Sequence, residues 1–326
     1  MRGLWLLALG CGGSDAAPDD GATTDTTTAC ETTVPWASAP PLARGATQET
    51  ATVATGGKLY ILGGFDDAGN VIDAVQIFDP ATCTYAEGPA LPKLVHHANA
   101  ATLDGTIYVL GSMQTGNFVA IPDTWSWNPE TETTWTVRAP MPAGSQRGSA
   151  VAGEIDGKLY VAGGLRNGAV AEVSSYDPVA DAWTAEAPLP AARDHGCGGA
   201  LAGKLYVLGG RQAVITSNIG TVFEFTPGGA WVERTAMPTG RGGTGCGVVG
   251  DRFIVVGGEG NPDAATGVFP QVEAYTPATD TWLPLAPMVT PRHGMGAAAI
   301  GDRLYVPGGA TTQGFGAVAT HEILTP

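Results

Sequence analysis

One motif recurs six times at an interval near 50 residues, and it limits this chain more than any other feature. Gly57-Lys58-Leu59-Tyr60 runs into Gly63-Gly64, and Gly157-Lys158-Leu159-Tyr160 and Gly203-Lys204-Leu205-Tyr206 run into their own glycine pairs. Looser copies stand at Gly105-Thr106-Ile107-Tyr108, Asp251-Arg252-Phe253-Ile254 and Asp302-Arg303-Leu304-Tyr305. The first glycine of the closing pair falls at 63, 111, 163, 209, 257 and 308. Repeats of this length are single supersecondary units that bury their apolar faces against neighbours. Each copy is an apolar run of strand length ended by glycine. An aromatic-x-Pro turn follows, as in Phe78-Asp79-Pro80 and Tyr176-Asp177-Pro178, and then a second aromatic: Tyr85, Trp135, Trp183, Trp231 and Trp282. With 48 Gly and 24 Pro in 326 residues, helices of ordinary length have little room. The expected fold is therefore all-β.

These motifs resemble the kelch repeat, and the resemblance covers about residues 34–326. It implies a six-bladed β-propeller of four-stranded antiparallel blades. The ends of the chain predict how the ring closes. Leu324-Thr325-Pro326 matches Tyr275-Thr276-Pro277, so the sixth repeat lacks its last strand, while Trp36-Ala37-Ser38 matches Trp183-Thr184-Ala185. The N-terminal strand is expected to complete the last blade.

Residues 1–10 are one Arg followed by a short apolar run that ends at Cys11-Gly12-Gly13-Ser14-Asp15. The run is too short for a membrane span but suits a signal peptide. The junction resembles the lipobox of bacterial lipoproteins, which implies cleavage before Cys11 and lipidation of its thiol. Residues 11–33, small, polar and acidic, read as a lipidated disordered tether. The expected location is the cell envelope, lipid-anchored to the outer membrane or facing the periplasm; if the lipobox fails, the protein is secreted.

With Cys11 lipidated, four cysteines remain, Cys30, Cys83, Cys197 and Cys246, and exported chains keep disulfides. Three connectivities are possible. Cys30 lies six residues before Trp36, and Cys83 two before Tyr85, its counterpart in the neighbouring blade. Cys30–Cys83 is the predicted bond, pinning the closing strand to blade 1. Cys197 and Cys246 occupy near-equivalent positions on two inner strands, either bonded or packed as small apolar groups.

With strands named a to d outward from the axis, the d–a and b–c connections share one face of the disc. A basic residue follows each Pro-rich turn near strand a: Arg44, Lys93, Arg147, Arg193, Arg241 and Arg292. A ring of cations at one mouth would attract anions to a chain with a net charge of −15; in kelch repeats such an Arg also bonds backbone carbonyls and acids of the neighbouring blade. His97, His195 and His293 fall near the same strand starts, with His96 beside the first. Because His is frequent there in the kelch pattern, neither a metal site nor a cofactor is expected.

The expected function is binding, of a protein, glycan or small anionic ligand at the face bearing the b–c loops and the basic ring. The acidic balance argues against nucleic acid, and the chain is expected to be monomeric. Galactose oxidase has a similar propeller, but no Tyr here neighbours a His as its copper site requires. The bacterial sialic acid mutarotase is also similar, and it implies an alternative in which Glu49, Asp194 or Glu259 acts as acid or base at the basic channel.

Overall fold

In the computed structural model, residue 30 and residues 35–326 are described, and the lipidation site at Cys11 lies outside them. Six four-stranded antiparallel sheets form six blades, and no helix occurs among the described residues. Blade 3 sets the pattern: Val151–Ile155, Lys158–Ala162, Val173–Asp177 and Ala182–Ala185 as strands a to d. Strand b carries the Leu-Tyr motif in four blades and Ile107-Tyr108 or Phe253-Ile254 in the other two. It is buried on both sides, since Leu59, Leu159, Leu205 and Leu304 are fully enclosed and the tyrosines that follow them, facing the other way, are buried too. A strand covered on both faces must be continuously apolar.

Residues from opposite ends of the chain build the sixth blade. Ala298–Ile300, Arg303–Pro307 and His321–Leu324 are joined by Trp36–Ser38 as the outer strand. Trp36 pairs with Leu324 and Ser38 with Glu322. The polar ends of the strand d aromatics stitch the blades together, while their rings pack against the buried aromatic of strand c. Trp135 donates its indole N–H to Pro89 O, Trp183 to Ala139 O, Trp231 to Ala187 O and Trp282 to Thr235 O, each in the preceding blade. Trp36 does the same to Ala286 O at 3.1 Å. The circuit closes at Tyr85, whose hydroxyl lies 2.6 Å from His321 Nδ1 in blade 6. Burial holds His321 down to about 3, so it stays neutral and packed.

Cys30 is bonded to Cys83, with Cα atoms 5.8 Å apart, in the turn between strands c and d of blade 1. Cys197 and Cys246 are bonded across the inner strands of blades 4 and 5, with Cα atoms 5.9 Å apart.

Candidate functional site

The basic ring expected at the mouth is not there. Arg147, Arg193, Arg241 and Arg292 are at most 2% exposed. Each lies inside its own blade and caps carbonyls at the end of strand b. Arg147 donates to Gly163 O and Val161 O at 2.8 and 2.9 Å, and Arg193 reaches Gly209 O and Thr221 O. Arg241 bonds Gly257 O at 2.7 Å and the Glu273 carboxylate. Arg292 pairs with Glu322 at 2.7 Å. One strand c position faces the arginine in each of these four blades: Ser174, Phe223 (4.3 Å below the Arg193 guanidinium), Glu273 and Glu322. Burial depresses Arg147 and Arg193 to about 10. A guanidinium with no exposed surface holds the blade together and does not meet a ligand.

Arg44 and Lys93 are not equivalents of these four. The second glycine of each pair donates its N–H to the next blade's entry residue: Gly164 to Arg193 O, Gly210 to Arg241 O, Gly258 to Arg292 O, Gly64 to Val95 O and Gly309 to Thr47 O. Val95 and Thr47 thus hold the arginine position in blades 2 and 1. Arg44 and Lys93 lie upstream on the surface, paired with Glu87 and Asp123 at 2.8 Å.

Two residues beyond that register position the chain reaches the axis. There Glu49, His97, Ser149, His195, Gly243 and Gly294 form a closed ring of backbone hydrogen bonds. His97 N–H donates to Glu49 O, Ser149 to His97 O, His195 to Ser149 O, Gly243 to His195 O, Gly294 to Gly243 O and Glu49 to Gly294 O, over 2.5–3.1 Å. All six residues are left-handed, with φ between 50° and 67°. Four of them carry side chains at a conformational cost that ordinary positions avoid, a pattern that gathers at functional sites. Gly294 is required as well: a Cβ there would lie 2.4 Å from Glu49 Oε1.

The ring brings Glu49, His97 and His195 together at the mouth of the axial channel, a cavity of ≈ 180 Å³ lined otherwise by small residues of the inner strands. His97 Nε2 is 3.0 Å from Glu49 Oε2 and 3.0 Å from His195 Nε2. The preceding residue of each blade packs behind: His96, Asp194 and His293. His293 is thus one residue out of register with His97 and His195. Asp194 Oδ1 accepts from His195 Nδ1 at 2.5 Å, and His96 Nδ1 lies 2.6 Å from His97 Nδ1.

Arg211 and Glu259 complete the cluster, each following a Gly-Gly pair at the start of a b–c loop. Arg211 donates through Nε to Asp194 (3.0 Å), through Nη1 to Glu259 (2.6 Å) and through Nη2 to His195 Nε2 (2.8 Å). His293 Nδ1 sits 3.6 Å from Glu49 and 3.5 Å from Glu259. Burial alone would raise Glu49, but attraction from His97, then His293 and His195, holds it far below the usual carboxylate range. Burial and the Arg211 charge lower His195, while Asp194 opposes the shift. The mouth therefore carries three carboxylates against one fixed cation, the reverse of the expected balance.

Aromatic rings wall the opposite side. Phe65 packs on His96 (4.2 Å between centroids) and Phe315 (5.3 Å), and Phe118 on His96 and His97 at 4.9 and 5.2 Å. Phe315 remains 58% exposed on a b–c loop that Gln48 holds through Gly314 O and Gly316 N–H.

Sequence comparison agrees with this architecture. Residues 6–210 match the KLHDC2/KLHL20/DRC7 Kelch-repeats domain, and residues 240–289 the Kelch motif. The chain belongs to the kelch-repeat family. It is 33% identical to Kelch-like protein terF of Aspergillus terreus (strain NIH 2624 / FGSC A1156), over 96% of this chain and 70% of that protein. It is 29% identical to human Kelch-like protein 23, over 77% of this chain. The chain spans less than half the length of the mammalian relatives, 43% for that protein and 30% for mouse Kelch-like protein 35. A solved structure titled "Structure of YjhT" superposes with a TM-score of 0.71 at 16% identity, covering 87% of this chain and 95% of that one, a likeness of fold.

Within this kelch propeller, Glu49, Asp194 and Glu259 meet at the mouth together with His97, His195 and His293. Arg211 escaped the sequence reading, although its register was visible: Phe65, Met113, Leu165, Arg211, Glu259 and Ala310 each follow the paired-glycine position, and only blades 4 and 5 place charges there.

Proposed function

We propose that this kelch propeller is an exported, lipid-anchored interaction module that docks a protein partner on the face bearing the b–c loops. The observation that carries the reading is the composition of that face. Exposed Val214 lines a groove of ≈ 470 Å³ with Leu165, Arg211, Ile215 and Gln313, next to the buried charge cluster, and exposed Phe315 lies two residues beyond Gln313 on the same loop. Exposed apolar groups beside fixed polar ones are what a binding surface needs. The excess of carboxylates disfavours the small anion of the sequence reading. Export is supported by the signal-like N-terminus and by two disulfides, which persist in oxidising compartments. Among the described residues no helix is long and apolar enough to cross a membrane; the anchor in this reading is the lipid on Cys11.

One fractionation experiment tests both halves. Native chain, Cys11→Ser and a Phe315→Asp/Val214→Asp double variant are expressed with labelled palmitate and recovered with their bound proteins. The native chain should carry label and sediment with membranes, and Cys11→Ser should do neither. The double variant should stay anchored while losing its bound proteins. Equal labelling of native and Cys11→Ser chains defeats the anchor, and unchanged co-recovery by the double variant defeats the docking face.

A further inference from the structure

The axial ring turns the carboxylate of Glu49 and the Nε2 atoms of His97 and His195 toward one another. The hydrogen-bond network fixes the tautomers. His96 Nε2 faces the carbonyl of Thr115 at 3.0 Å and must carry its hydrogen there. Its Nδ1 therefore accepts, and His97 Nδ1 is the donor across the 2.6 Å contact. In the neutral ring that a metal requires, the lone pair of His97 is then on Nε2. His195 donates through Nδ1 to Asp194, which leaves its lone pair on Nε2 as well. Two lone pairs and the ionised oxygen of Glu49 thus point at one another, with both contacts to His97 Nε2 at 3.0 Å. The three donor atoms all lie within 4.8 Å of one another.

We infer that Glu49 Oε2, His97 Nε2 and His195 Nε2 form a binding site for a divalent first-row transition ion of the zinc class. Two imidazoles and one carboxylate are the donor set of open zinc sites, in which a fourth position is left to water or a ligand. Bonds of about 2.0–2.1 Å to a tetrahedral ion separate two ligand nitrogens by roughly 3.3 Å, so the two 3.0 Å contacts to His97 need open by only a few tenths of an ångström, while Glu49 and His195, within 4.8 Å, settle to a similar separation. The groups behind the ligands are those that metal sites use: Asp194 on His195 and His96 on His97 fix ring orientation through Nδ1. The fourth position faces the axial channel. A second observation points the same way. His293 is fully buried and places an unpartnered Nδ1 toward Glu49 and Glu259, its Nε2 being spent on Thr312 O. A divalent ion would offset the surplus of two carboxylates at the mouth.

Arg211 is the group that competes. Its Nη2 donates to the His195 Nε2 lone pair, so metal entry must displace that one contact while Nε and Nη1 keep their bonds to Asp194 and Glu259. This gives the site an unusual signature. Removing a cation-bearing neighbour should tighten metal binding.

The test is titration of chelator-stripped full-length protein with Zn²⁺ and Co²⁺, in a Cys11→Ser background that removes the one cysteine outside the disulfides. One zinc per chain should be retained through gel filtration, and Co²⁺ should give visible d–d bands without thiolate charge transfer. Glu49→Gln, His97→Ala and His195→Ala should each weaken zinc binding by more than the ~10–100-fold that loss of an outer-shell partner costs, and Asp194→Asn by that outer-shell amount. Arg211→Met should bind more tightly. Metal-free melting curves establish that each variant is folded, and for any variant that is not, the cobalt spectrum of the parent decides. A parent protein that holds no more zinc than Glu49→Gln overturns the site and leaves a shared proton between the acceptors. Unchanged or weaker binding by Arg211→Met would put the zinc somewhere other than His195.

Discussion

Deleting residues 1–44 is expected to abolish cooperative unfolding, not merely to lower its midpoint. The deletion removes the outer strand of blade 6 and exposes the edge of His321–Leu324, which now pairs with Trp36–Ser38. It also empties the space that Trp36 fills among Val249, Met288 and Leu324, and removes Leu42 from the cluster that includes Leu59 and Ile323. Trp36→Ala alone should cost about 3–5 kcal/mol. An open edge next to an emptied core invites pairing between chains, so broad melting and aggregation should accompany the loss. A Cys30→Ser/Cys83→Ser variant keeps the strand and loses only the disulfide. It should unfold cooperatively at a lower temperature, by the 2–5 kcal/mol typical of a native bridge. A sharp calorimetric transition at the parental temperature in the deletion would show that blade 6 closes without its N-terminal strand.

Arg241→Ala should be about as damaging as the loss of Trp36. The guanidinium is fully buried, held by Gly257 O, Thr239 O and the Glu273 carboxylate, itself 6% exposed in its side chain. Burial lowers the Arg241 pKa, and Glu273 opposes that shift. Removing one partner of a buried pair leaves the other charged and unpaired, a cost of about 3–5 kcal/mol. Replacing both with apolar groups, as in Arg241→Met/Glu273→Leu, is often close to neutral by the same physics. Chemical denaturation of the two singles and the double measures this directly. Recovery of most of the loss in the double variant is the expected outcome, whereas equal losses in all three would mean that the arginine acts only through the strand b carbonyls.

The blade plan was legible because it rests on periodic local signals: the paired glycines, the Leu-Tyr strand and the aromatic-x-Pro turn recur whatever the loops do. The split sixth blade followed from the same register. The basic ring was misread because the turn between the buried Leu or Met and the axis varies in length. From Leu91 to Val95, Leu189 to Arg193, Met237 to Arg241 and Met288 to Arg292 the step is four residues, but it is five from Leu42 to Thr47 and six from Met141 to Arg147. Choosing the nearest cation selected Arg44 and Lys93 in place of Thr47 and Val95. That same slip hid the axial ring, since Glu49 and His97 are equivalent to His195 only when counted from the true register. The convergence of Glu49, His97 and His195 comes from six chain segments meeting at an axis, and no spacing within one segment encodes it. His293 looked equivalent to the other two because it follows an arginine, yet it enters one residue earlier and faces Glu259.

The central claim is that the protein works through the face where the b–c loops surround this mouth, and site-specific photo-crosslinking in the producing cell tests it most directly. A photoreactive amino acid is placed at Phe315 or Val214, beside the mouth, or at Val179, which is 97% exposed in the turn after strand c on the opposite face. Discrete crosslinked species from positions 315 and 214, absent from position 179, are the result this account predicts. Crosslinks from position 179 with none from the other two would contradict it and move the working surface to the other side of the disc.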